Sequence, residues 1–372
     1  MPRFISVYLL PGAVLQSVMI GGGYGTGREL VEFFTRHGIA NGFLGQLLAT
    51  VLVSTIFALT LALAVRYQAF DYRSFFRLLL GRAWFLFELV LMVLFVLVLA
   101  VMGSAAGGIL QDSLGLPERT GAVVMLVLVV LLTFFGRDLI TRVLASWSVL
   151  LYAVFLSYFV AITMGLTPED LSGKLDWQIE SDWMVSGLQY ALYNVSAVPI
   201  ILYAARAIET ERQAYTSGIV GGLIAMFPGI LFHLSFVGAY PGILDAELPV
   251  YTQFESLGMP VLYACYLVVL FGTFIETGAG NIQGFIERVD AWWQERRSTP
   301  LSRWHHAAIA GTGLIIASLL SEVGIVDLIA EGYGGIAWGF LFVYLIPLFT
   351  VGVYRLITER PPAQAAQATQ DG

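Results

Sequence analysis

The sequence predicts an all-α polytopic membrane protein of about ten transmembrane helices, arranged as two inverted five-helix repeats whose first and sixth helices are broken. Three observations predict it: the hydropathy, the placement of basic residues, and a glycine run inside the first apolar segment. The chain of 372 residues is 58% hydrophobic and 12% charged, with a mean hydropathy of +0.80. Apolar runs of that density suit repeated crossing of a bilayer core rather than a soluble domain. A net charge of −7 and a pI near 5.1 speak against nucleic acid as a partner. The lone Cys265 excludes an intrachain disulfide.

Ten spans are expected, at approximately 6–36, 40–65, 83–111, 119–136, 138–165, 183–206, 214–240, 256–287, 305–321 and 327–357. With the N-terminus inside, cytoplasmic segments hold 15 of the 19 basic residues, including Arg3, Arg66, Arg206, Arg212 and Arg355. The outer loops hold only Arg36, Arg119 and Lys174, and Arg28 lies within the membrane. This asymmetry places both termini in the cytoplasm. The first apolar segment lacks a small-residue cleavage site and does not read as a signal peptide. An acidic outer loop from Thr167 to Asp182 separates repeat one, about 6–165, from repeat two, about 183–357. An odd number of spans per half forces the second to be inverted. Residues 1–360 read as a single transmembrane domain, and the polar residues 361–372 as a disordered cytoplasmic tail.

The first span is interrupted by Gly21-Gly22-Gly23-Tyr24-Gly25-Thr26-Gly27, with five glycines in seven residues. Each glycine costs about 1 kcal/mol relative to alanine in a helix interior. Freed backbone groups at membrane depth are tolerated only where they are buried in protein or line a cavity. The charges of Arg28 and Glu29 at the same depth mark a functional region. Inverted repeats with interrupted helices in corresponding positions point to a solute site, so the sixth span should break as well. There, Pro199 removes a helical hydrogen bond to Val195, and Asn194 and Ser196 offer polar groups beside the weakened turn. The expected solute-binding residues are therefore Gly21, Gly22, Gly23, Tyr24, Gly25 and Thr26 with Tyr193, Asn194 and Ser196. Half-helix ends would offer donors to an anionic group and carbonyls to a cation or amine. That chemistry suits an amino acid or a related zwitterion, and a small amine or nucleobase-like solute would satisfy the same groups.

Other residues carry blander expectations. His233 reads as a packing histidine rather than a proton relay, and Glu88 as a partner of Arg82 or an interfacial residue. The four histidines and one cysteine show no metal-ligand spacing. A Walker glycine-lysine-serine loop is absent, which argues against an ATP-driven pump. An enzyme would need a polar catalytic pair within the spans; Glu276 with His233 is the one plausible pair, and nothing in the sequence brings them together.

Together these features resemble the amino acid–polyamine–organocation superfamily, with its LeuT-type five-plus-five fold, over essentially residues 5–357. The stretch from Gly21 to Phe34 is similar to the glycine-rich signature of YkvI-like bacterial membrane proteins. The resemblance implies a secondary transporter working by alternating access, coupled to Na⁺ or H⁺, with no other cofactor. A channel or facilitator for small solutes or ions, and a membrane sensor, are the rival readings. In neurotransmitter:sodium symporters an arginine after the glycine motif gates the outer side with an acid of span ten. Arg28 and Glu331 stand at matching positions, with Asp327 one turn earlier; the alternative is a local pair of Arg28 with Glu29 or Glu32. In span eight, Glu276 and Thr277 fall on the hydroxyl pair that holds a sodium ion in those relatives, with Thr273 and Asn281 a turn either side of Thr277. A carboxylate there implies either a Na⁺ site at Glu276 and Thr277 or a proton on Glu276. The alternative is a structural pair with a base such as Arg142. Gly25 stands where those symporters use an asparagine for a second sodium ion, so a two-sodium mechanism is not implied.

Overall fold

The computed structural model describes residues 2–135, 137–167, Lys174, 181–297 and 301–359. The acidic outer loop, apart from Lys174 and its two ends, and the expected tail at 361–372 lie outside the described residues. Among the described residues, seven helices are long and apolar enough to cross a membrane: Ile39–Tyr67, Tyr72–Leu114, Asp182–Ala207, Glu211–Phe236, Pro260–Gln294, Trp304–Ser321 and Ile325–Thr358. The three other expected spans are helical as well, and only the first is interrupted. Span one is a broken series from Ile5 to Phe33, span four is Glu118–Phe135, and span five is Arg137–Gly165.

Two connections depart from the expected boundaries. The stretch before span three is an amphipathic helix, Tyr72–Leu80, which buries Phe75, Phe76 and Leu79. Asp71 caps it by accepting from the Ser74 N–H at 2.9 Å, and Phe76 stacks on Phe87 of span three at 3.6 Å between ring centroids. After span seven the chain forms a hairpin of two short helical segments, Gly242–Asp245 and Pro249–Ser256. Span eight then starts at Pro260, a residue suited to a helix start because its missing N–H has no partner there anyway. It runs on to Arg297, past the expected end at 287.

The spans pack as two groups. Spans two and seven share the most extensive interface, span one lies on seven, and span six lies on two. Spans three, four, eight and nine form the second group, with three against nine and eight against four. Exchanging one with six, two with seven, three with eight and four with nine maps these pairs onto one another, as inverted repeats require.

Close backbone approach holds the first group together. Gly218 and Gly222, four residues apart on span seven, face Ala58 and Ser54 of span two. A Cβ built on Gly218 would lie 2.4 Å from the Ala58 Cα, and one on Gly222 would lie 2.7 Å from the Ser54 Cα. Small residues at this spacing let helix backbones meet where lipid supplies no hydrophobic drive.

The two ends of the molecule collect different basic residues. At one end Arg3 pairs with Glu209, Arg66 with Glu211, and the Tyr67 hydroxyl donates to Glu359. At the other, Arg36 pairs with Glu32, Arg119 with Glu322, and the Lys174 Nζ donates to the carbonyls of Val237 and Gly238. The span count derived from charge therefore has the right parity.

Candidate functional site

Span one breaks twice. Its first helix, Leu10–Met19, ends at Ile20, Gly21 is extended, and a single turn covers Gly22–Thr26. Gly27 then takes φ +81°, a left-handed conformation natural to glycine, before a last helix, Arg28–Phe33. The Thr26 hydroxyl donates to the Gly23 carbonyl at 2.7 Å and accepts from the Arg28 N–H at 3.3 Å. Thr26 is fully buried, so its hydroxyl braces the second break. Tyr24 is equally buried, edge-on to Phe232, and the Tyr266 hydroxyl donates to the Gly25 carbonyl.

Span six is interrupted more gently. The helix Asp182–Asn194 tightens to one 3₁₀ turn at Val195–Ala197 and resumes as Val198–Ala204, with right-handed dihedrals throughout. Proline removes a donor at position 199, and a tighter turn absorbs the change without extending the chain. The Asn194 amide donates back to the Tyr190 carbonyl at 2.9 Å, and Ser196 is half-buried beside it. Tyr193 reaches across to span one.

The charges of the first break face two ways. The Arg28 guanidinium lies 2.8 Å from Glu32 and donates at 3.0 Å to both the Leu244 and Ala246 carbonyls of the hairpin. Among the described residues its only carboxylate partner is Glu32; Glu331 and Asp327 stand exposed on span ten. Residues four apart share a helix face while neighbours do not, which is why Arg28 takes Glu32 and leaves Glu29. Val250 of the hairpin packs over Gly27. Both side chains of the Arg28–Glu32 pair are only 6% exposed. Removing one partner of a buried pair typically costs about 3–5 kcal/mol. Glu32→Gln is accordingly expected to lower the thermal midpoint of the detergent-purified protein markedly. An unchanged midpoint would show the pair to be dispensable.

Glu29 points inward. It is 5% exposed, and its carboxylate accepts from the Tyr193 hydroxyl at 2.5 Å. A Cβ on Gly23 would lie 2.2 Å from its Oε1, so the glycine break makes the space it occupies. Tyr193 sits among the rings of Phe33 at 5.5 Å, Tyr190 at 5.4 Å and Tyr333 at 5.0 Å. Span ten thus contributes Tyr333 to this pocket. Tyr190 and Tyr333 were not among the residues expected from sequence, and Glu29 was expected only as a charge at membrane depth or a local partner of Arg28. The available signal was the four-residue spacing of Arg28 and Glu32, which frees Glu29.

Span eight meets the first break from another side. A Cβ on Gly21 would touch Thr277, 3.6 Å from its Cγ2 and 4.0 Å from its Oγ1. Glu276 and Asn281 are half-buried beside it, and the Thr273 hydroxyl donates to the Val269 carbonyl of its own helix. Among the described residues Glu276 has no ion-pair partner; the side chain of Arg142 lies outside them. His233 is a packing residue, its ring nitrogens bonded to the Thr35 hydroxyl at 2.8 Å and the Ile39 carbonyl at 2.9 Å. Glu88 accepts from the Tyr72 hydroxyl at 3.0 Å and lies 3.9 Å from Arg288, not against Arg82.

An integral membrane protein with two five-span repeats, interrupted at their first helices around a polar centre, has the LeuT-type fold. Comparison with known proteins agrees. The chain is 24% identical over 324 residues to the uncharacterized membrane protein YkvI of Bacillus subtilis (strain 168), covering 86% of this chain and 89% of that protein. No family model matches it. Among solved structures it is similar to MhsT in complex with L-phenylalanine, with TM-score 0.58 and 15% identity over 91% of this chain and 88% of that one. It is also similar to a Na⁺-coupled sialic acid symporter in a substrate-bound outward-open state, with TM-score 0.51 and 13% identity over 94% of this chain and 87% of that one. At these identities the structural likeness establishes the fold.

Proposed function

We propose that this protein is a secondary active transporter that moves a small polar solute by cation-coupled alternating access. The solute class is an amino acid, a related zwitterion or an amine, and the coupling ion is Na⁺ or H⁺. One observation carries the reading: the span-one break is met by spans six and eight, the Tyr193 hydroxyl at Glu29 and Thr277 at Gly21. Hydroxyls from span six, of its own packing group, and span eight, of the other, thus line the glycine backbone and buried carboxylate of the break. The likeness to a Na⁺-coupled symporter and to a structure holding L-phenylalanine supports it. The distribution of basic residues supports cytoplasmic termini, and the likeness to a membrane protein of Bacillus subtilis supports the bacterial inner (plasma) membrane.

The Arg28 contacts with the hairpin carbonyls suit a latch on the outer side, which a static channel does not need. Saturable counterflow in reconstituted vesicles would separate a transporter from a channel or a sensor. The first test is a thermal-stability screen of amino acids, amines and nucleobases, each in Na⁺ and K⁺ buffer at two pH values. A ligand that binds the native state raises the melting temperature. Stabilisation that requires Na⁺ would favour a sodium site at Glu276 and Thr277. Stabilisation that ignores Na⁺ and follows pH would favour proton coupling. No stabilisation by any of these compounds would leave the amino-acid reading without support.

A further inference from the structure

We propose that the joint between spans two and three binds an anionic phospholipid, with its phosphate on Arg77 and Arg82 and an acyl chain along the exposed row of span three. The proposal does not depend on what the protein transports. The helix Tyr72–Leu80 is fixed in orientation because Phe75, Phe76 and Leu79 are buried beneath it. Phe76 lies against Phe87 of span three and Tyr344 of span ten. Arg77 stands exposed on the other side of this helix, and Arg82 is exposed in the short turn Gly81–Trp84 that follows.

The nearby acids are engaged elsewhere. Asp71 caps the helix at the Ser74 N–H, and Glu88 accepts from the Tyr72 hydroxyl and lies 3.9 Å from Arg288. Among the described residues neither Arg77 nor Arg82 has a carboxylate partner. Arg73 and Arg77 are four residues apart on one helix face, where like charges repel. Both guanidinium groups nonetheless lie over the Trp84 ring, 5.4 Å and 5.3 Å from its centroid. Tryptophan is enriched at headgroup level in membrane proteins, so this cluster sits where lipid phosphates are.

The row that begins directly after Trp84 separates a lipid from a soluble anion. Phe85, Leu89 and Val93 are all exposed, and their four-residue spacing puts them in one line along span three. A basic patch continuous with an apolar row matches a molecule that has a phosphate at one end and a hydrocarbon chain at the other. A free phosphate would use only the first half. Basic residues beside an anionic leaflet gain about fivefold in affinity per charge.

The test gives the full-length protein, in one detergent, equal amounts of phosphatidylglycerol and phosphatidylcholine with identical acyl chains. Native mass spectrometry reads the lipid retained. The expected result is about a fivefold or greater excess of phosphatidylglycerol on the wild type. Arg77→Gln combined with Arg82→Gln should bring the ratio close to one. Arg206→Gln combined with Arg212→Gln removes the same charge from exposed residues at the joint of spans six and seven, and it should leave the excess unchanged. Arg82→Gln alone should lose part of the excess, and it serves where the double variant fails to fold. Glycerol phosphate at constant ionic strength should not displace the retained lipid.

Equal retention of the two lipids by the wild type would overturn the proposal. So would an excess that survives loss of Arg77 and Arg82, or one that the control variant lowers equally, since the attraction would then belong to the whole face. Displacement by glycerol phosphate would assign the patch to a soluble phosphate and remove the lipid.

Discussion

Glu276→Gln is expected to abolish gradient-driven accumulation of solute in reconstituted vesicles while leaving solute exchange within a few-fold of wild type. Glu276 is half-buried in span eight, next to Thr277, which touches the first break at Gly21. A carboxylate there must be neutralised whenever the surrounding path closes, and either a cation or a proton can do it. Coupling means that ion and solute alter one another's affinity reciprocally. Glutamine keeps the size and the hydrogen-bonding groups but carries no charge, so the site is fixed in its neutral state and the gradient has nothing to act on. Exchange needs only the solute site and the conformational change. The check is to measure accumulation under an ion gradient beside counterflow at equal ion on both sides. Wild-type accumulation in the mutant would remove Glu276 from coupling, and loss of both activities would assign it to folding or to the solute site.

Much of this architecture was legible because charges and glycines obey strong local rules. Arg3 and Arg66 sit at one end and Arg36 and Arg119 at the other because a guanidinium has few places to go in a membrane protein. The first break followed from glycine density. Pro199 showed where span six weakens, but not the form of the break, since losing one hydrogen bond is compatible with either an unwound link or a tighter turn.

The details of the site were harder because they depend on which helix face a residue occupies. Arg28 and Glu29 are neighbours in sequence and point to different partners in space. In span ten, the wide-pitch turn from Leu328 to Tyr333 shifts the face presented to the pocket. An inserted residue of that kind changes the face that follows it, and here Tyr333 reaches Tyr193 while Glu331, the expected partner of Arg28, stays exposed. The helix Tyr72–Leu80 was not expected, although Phe75, Phe76 and Leu79 recur at helical spacing on one side.

Gly222→Leu is expected to prevent stable folding, because it strikes the interface on which the first packing group depends. A Cβ at this position would lie 2.2 Å from the Ser54 Oγ and 2.7 Å and 2.8 Å from the Ser54 Cα and backbone nitrogen. The hydroxyl can rotate away; the backbone of a long helix cannot. Overpacking a well-packed core commonly costs about 1–3 kcal/mol, and a collision with backbone along the broadest helix pair lies at the top of that range or beyond it. Gly335→Leu is the matched control, since that glycine is exposed and a Cβ there meets nothing within 4 Å. The measurement is the yield of monodisperse protein after detergent extraction, with thermal midpoints for whatever is recovered. Equal yields and midpoints for the two variants would mean that spans two and seven are not held by this close approach. Loss confined to Gly222→Leu would make the span two–seven contact a stability determinant independent of the solute site, because neither Gly222 nor Ser54 touches the residues around Glu29.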